Sequence, residues 1–236
     1  MKVGRPRKLN RFLVIAILCL WVFASTVASQ FLIGWGIILF FGKEALSQPV
    51  WTAVYSALSY MVALSLIIFV PRRWLKTSRN ELGLTGWPTW TDVGLSPVAF
   101  IAATLLAAGA AAFFSMFPWF NANELQDIGF NTYMVGGDRI IAFITLVIVA
   151  PIAEEIIFRG WLYGKIREKV GIVASTLIVS ALFGIVHMQW NVGVNVFCLS
   201  VVLCGLREIT GTIYAGILTH MVKNGVAFYL LYIMSV

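Results

Sequence analysis

Long apolar runs separated by short charged breaks dominate the chain: uncharged stretches cover residues 12–42, 45–71, 93–123, 140–153, 170–206, 209–222 and 224–236. Most exceed the roughly 20 residues of helix that cross a hydrocarbon core. Their apolarity is continuous rather than alternating, so the pattern predicts helices and not the strands of a closed barrel. Seven are expected, at 12–41, 49–70, 93–117, 138–169, 172–189, 193–206 and 210–234. The predicted fold class is all-α, a polytopic membrane helix bundle of about seven transmembrane helices. The loop leading to Asp92, rich in Arg, Gly, Trp and Pro, divides it into N-terminal helices with a cytoplasmic loop (1–92) and a second helix bundle (93–236), read as one structural domain overall.

Composition agrees with this solvent. The chain is 60% hydrophobic and 11% charged, against about 25% charged residues in an average soluble domain. Lys2, Arg5, Arg7, Lys8 and Arg11 precede an apolar run and Val27-Ala28-Ser29 resembles a cleavage site, but the run resumes at Phe31 and continues to Phe41. That exceeds the about 7–15 residues of a signal peptide's apolar region. Cys19, Cys198 and Cys204 lie in apolar runs without metal or redox spacing and read as packing residues.

The net charge of +7 does not imply nucleic acid, because the basic residues sit in short loops. Arg72–Arg79, Lys165–Lys169 and Arg207-Glu208 fall on one side with the basic tail; Lys43-Glu44, Glu124, Asp127 and Asp138 fall on the other. The positive-inside rule then puts the N-terminus in the cytoplasm. Trp74, Trp87, Trp90, Trp119, Trp161 and Trp190, near the ends of apolar runs, are expected as interfacial anchors in contact with membrane lipid.

Chemistry concentrates in the C-terminal half. Glu154 and Glu155 are adjacent inside an apolar run, where each carboxylate costs about 2.5–3.5 kcal/mol on insertion scales. Glu155 and Arg159, four apart, share a face and can pair; Glu154, about 100° around the helix, has no local partner and is the expected catalytic carboxylate. A turn near Val170-Gly171 puts Glu154 and His187 equally far along two antiparallel helices, hence at equal depth. His220 and Asn224, four apart, project from one face of the last helix.

Taken singly these residues read as a structural ion pair, packing histidines and a helix-to-helix amide contact. Together they are equipment for hydrolysing a carbonyl compound, most naturally a peptide bond: Glu154 with His187 can take a proton from water, and His220 with Asn224 can donate to an oxyanion. Neither G-x-S-x-G nor H-E-x-x-H is present.

Glu154-Glu155-x-x-x-Arg159, Phe183-x-x-x-His187 and His220-x-x-x-Asn224 resemble, in order, the three motifs of the CPBP intramembrane protease family, which includes the CAAX prenyl endopeptidases and the bacterial bacteriocin-processing and immunity (Abi) proteins. The resemblance covers residues 138–234 and implies a metal-free glutamate endopeptidase of a prokaryotic plasma membrane, acting on a peptide or protein substrate, with Glu155 and Arg159 supporting the helix. A zinc enzyme using Glu154, His187 and His220 as ligands is the second reading. A non-catalytic immunity or partner-binding protein and a proton-coupled transporter relaying through Lys223 are the others. The absence of a detectable repeat argues against the transporter.

Overall fold

In the computed structural model, the described residues are 10–73, 75–124, 130 and 136–234, without the side chains of 72 and 73. The basic tail before Asn10, Trp74 and Asp127 lie outside them, as do the side chains of Arg72 and Arg73. Every regular element among them is helical: α1 (Arg11–Phe41), α2 (Pro49–Phe69), α3 (Trp90–Phe114), α4 (137–170), α5 (172–185), α6 (Trp190–Thr210) and α7 (Tyr214–Tyr232).

Five helical stretches are long and apolar enough to cross a membrane. The fourth, Gly137–Ile185, runs for 49 residues and contains both α4 and α5. Gly171 breaks it, at φ 78° and ψ −177°, a conformation glycine adopts without a Cβ penalty. Beyond the break the chain folds back: the Phe158 and Phe183 rings lie 4.8 Å apart, and the Arg159 guanidinium sits 4.3 Å from the centre of the Phe183 ring. The predicted hairpin is therefore present. Helix α7 is not among the five stretches, because His220, Lys223 and Asn224 occupy its middle.

Several boundaries differ from expectation for identifiable reasons. Helix α3 begins at Trp90, not near 93, because Asp92 is part of its cap: the Asp92 amide donates to the Thr89 hydroxyl, and the Thr89 amide donates to the Asp92 carboxylate at 2.7 Å. Helix α5 ends at Ile185, which leaves His187 in the turn beyond it rather than on the helix. Helix α4 is not uniformly α-helical, since Ile144–Val149 and Ile156–Leu162 are π-helical and flank the α-helical Ala150–Glu155.

The largest core cluster joins Ile15, Leu18 and Val22 of α1 and Ile67 of α2 to Ile157 and Trp161 of α4 and Val179 of α5. Trp161 is 1% exposed and fills this core, so it is not an interfacial anchor; Trp87, Trp90, Trp119 and Trp190 do point outward. Helix α3 packs small residues, Ala99 and Ala103, against Leu199 and Leu203 of α6, while Ile101 and Leu105 on other faces are exposed, as lipid contact requires.

The charged segments expected on one side meet at one end of the bundle. Lys165 donates to the Lys76 carbonyl and pairs with Glu81, Arg167 pairs with Glu208, and Arg207 donates to the Glu81 carbonyl. The Glu81 carboxyl is held below its ordinary range by the Ser78 amide and, secondarily, by Lys165. At the other end Asn191 donates to the Glu124 carbonyl at 2.7 Å.

Helices α5 and α6 touch through glycine. A Cβ on Gly184 would lie 2.8 Å from the Gly193 carbonyl oxygen, a close approach of the kind small residues permit in membrane bundles. Gly184→Ala is expected to lower the free energy of unfolding in detergent micelles by about 1–3 kcal/mol. Gly109→Ala, where a Cβ meets nothing within 4 Å, should leave it unchanged in the same denaturation series.

Candidate active site

Two neighbouring carboxylates on α4 receive opposite treatments. Glu155 is fully buried, and its Oε1 lies 3.1 Å from Arg159 Nη1 and 3.0 Å from His220 Nδ1. Arg159 is itself 1% exposed and makes its contact as an ion pair rather than an aligned hydrogen bond, with the Phe183 ring beneath the guanidinium. Gly216 of α7 makes room for this group, since a Cβ there would stand 3.1 Å from Glu155 Oε2. The expected pairing of Glu155 with Arg159 is thus present, and His220 joins it.

Glu154 is 15% exposed and remains reachable. Its Oε1 accepts a 2.5 Å hydrogen bond from the Tyr60 hydroxyl of α2. Its Oε2 faces His220 Nε2 at 3.7 Å, too far for a hydrogen bond and close enough for both atoms to touch one small molecule. His220 therefore stands between the two carboxylates, one ring nitrogen toward each.

His187 caps the end of α5. The last carbonyls of a helix have no intrahelical donor, and His187 Nδ1 lies 2.7 Å from the Phe183 carbonyl oxygen. A carbonyl only accepts, so Nδ1 carries the proton and a neutral ring presents a lone pair at Nε2. Phe158 and Phe183 face one another across the hairpin; Glu154 lies four residues before the first and His187 four after the second. The equal-depth expectation follows from that pairing, and Glu154 and His187 are within electrostatic reach of one another.

Asn224 reaches α4 by a different route. The Ala150 amide bonds the Thr145 carbonyl, five residues back, in the π register. The next residue is Pro151, which has no N–H, so in that register the Leu146 carbonyl loses its donor. Asn224 Nδ2 supplies one at 2.9 Å, and its second N–H and its Oδ1 remain available. Lys223, which has no role in the protease reading and figures only in the transporter alternative, lies within electrostatic reach of Glu154 and His187.

Among the described residues no group of three or more His, Cys, Asp or Glu side chains is drawn together as a metal site. A separate apolar cavity of about 640 Å³ lies between α3, α5 and α6. Met188 rather than His187 lines it, so it is not part of this cluster.

Residues 136–226 match the family model described as Type II CAAX prenyl endopeptidase Rce1-like. The chain is also 25% identical over 179 residues to a Bacillus subtilis (strain 168) protein named "Putative membrane peptidase YdiL", across 75% of this chain and 70% of that one. The matches support the CPBP, or CAAX-protease, family. No solved structure matches. The CAAX-type match contains Glu154, Glu155, Arg159, His187, His220 and Asn224 and leaves out Tyr60. At the level of class, these similarities support a membrane protease.

Tyr60 escaped the sequence reading. The only signal was a phenol in the middle of the second apolar run, which packing alone would also explain.

Because Glu155 and Arg159 are buried together, removing one strands the other. Glu155→Ala is expected to destabilise the fold by about 3–5 kcal/mol, read as loss of the cooperative unfolding transition in detergent. Glu168→Ala, on the charged end of α4 outside this cluster, should leave the transition in place.

Proposed function

We propose that the chain is an intramembrane endopeptidase in which Glu154 and His187 activate a water molecule. The reading is carried by one contrast: of two adjacent membrane carboxylates, Glu155 is sealed into an ion pair while Glu154 is left accessible with Oε2 free of a hydrogen bond.

Water held between Glu154 Oε2 and His187 Nε2 gives its proton to the carboxylate as its oxygen attacks the scissile carbonyl carbon. The carbonyl π electrons move to oxygen, and the oxyanion is met by donors from α7. Asn224 offers the N–H not used by Leu146. His220 already directs Nδ1 at Glu155, so to donate from Nε2 as well the ring must carry both protons. Collapse breaks the C–N bond, and Glu154 returns its proton to the departing amine. Arg159 and Glu155 hold His220 and the α4 backbone in place and touch no reacting atom.

The expected substrate is a peptide or protein presented at the membrane. The positive-inside rule favours a cytoplasmic N-terminus, with the charged end of the bundle at Lys165, Arg167 and Arg207 on the same side. A zinc enzyme is the second reading, favoured by one observation: both histidines are bonded through Nδ1 and keep Nε2 for the site, the usual arrangement of metal-bound imidazoles.

The test is cleavage of a membrane-presented peptide library by protein purified in lipid. Wild type is expected to cleave, with and without a strong zinc chelator, and Glu154→Ala to lose at least about 100-fold in turnover. Loss on chelation would establish the zinc reading instead. Full activity in Glu154→Ala would end the assignment of Glu154 as base, and biological effect without cleavage would favour an immunity or partner-binding role.

A further inference from the structure

The first two helices carry none of the three motifs, yet one of their side chains touches the proposed base. We infer that Tyr60 is a positioning residue for Glu154, its hydroxyl fixing Oε1 so that Oε2 is the oxygen presented to water. The inference rests on the reading of Glu154 as the base.

The geometry carries it. The terminal torsion of a glutamate is broad and roughly two-fold, so nothing within the side chain fixes which oxygen faces the site. Rotation would exchange Oε1 and Oε2 or turn the carboxylate edge away from His187. A hydrogen bond of 2.5 Å from a phenol to a carboxylate is in the short, charge-assisted class. It comes from a residue 94 positions away on a different helix, so its direction is set by the packing of α2 and not by local flexibility. Helix α2 is held there by Ala63 and Ile67, three and seven residues further along, which enter the core beside Ile157 and Trp161 of α4. With Oε1 so occupied, Oε2 is left at 3.7 Å from His220 Nε2. The two oxygens thus have different tasks, one anchored and one open.

A purely space-filling tyrosine would show none of this, which makes the distinction measurable. Tyr60→Phe keeps the ring and removes the donor. In lipid, on a peptide that wild type cleaves, kcat is expected to fall about 10- to 100-fold, the worth of one hydrogen bond to a charged group, with KM within about twofold and the unfolding transition in place. Replacing Tyr60 with 4-aminophenylalanine, which restores an N–H donor on the same ring, should recover much of the loss. In protein labelled with carboxyl-13C glutamate, the infrared carboxylate band that disappears in Glu154→Gln should shift in Tyr60→Phe and not in Tyr55→Phe.

Wild-type kcat in Tyr60→Phe together with an unmoved band would overturn the inference. So would a loss that 4-aminophenylalanine does not recover, because the ring and not the donor would then be what matters. A shifted band with unchanged kcat would show that Tyr60 holds Glu154 without serving catalysis, and would overturn the positioning role. Full activity in Glu154→Ala would overturn the functional reading instead, and is separable from failure of the Tyr60 contact.

Discussion

A carboxylate cannot be left bare in hydrocarbon, and this chain places two of them side by side on one helix. Each must find compensation from a different direction, because neighbouring residues on a helix point about 100° apart. Glu155 turns inward and gathers Arg159, His220 and the close approach that Gly216 allows. Glu154 turns toward α2 and the open side and finds a phenol and, at longer range, the same histidine. The rest of the arrangement follows: α7 must come close enough for His220 to serve both, and α5 must return alongside α4 to put Phe183 under the guanidinium.

Phe183 links several of these demands. Its ring faces Arg159, Phe158, His187 and His220, and its carbonyl orients His187. A fully buried side chain that meets the Arg159 guanidinium and both histidines transmits the register of the hairpin directly to the site. In a medium with no water to substitute for a lost partner, such contacts leave few alternative arrangements.

Much of this was legible in the chain. Charge breaks mark helix ends reliably in a membrane protein, because a charged residue is costly wherever it is not paired or at the surface. The Glu155–Arg159 pair and the depth of His187 follow from helical spacing and one glycine turn, both local rules. What the spacing could not reveal was tertiary. Trp161 sits near the end of an apolar run, like an anchor, but α1 and α2 cover it. Asp92 looked like a boundary because of its charge, whereas its role is to cap the helix it seemed to precede. Tyr60 meets Glu154 across 94 residues, and a hydroxyl inside an apolar helix carries no mark of its partner. The two π-helical stretches of α4 likewise leave no periodicity distinct enough to be read.

The amide that Asn224 lends to the Leu146 carbonyl has an evolutionary side. Pro151 and Asn224 occupy different helices, yet one removes a backbone donor and the other replaces it. Their substitutions cannot be independent. A lineage that lost Pro151 would regain the backbone N–H and free the asparagine, whereas one that lost Asn224 first would leave a carbonyl orphaned in an apolar setting. The order in which such changes can accumulate is therefore constrained.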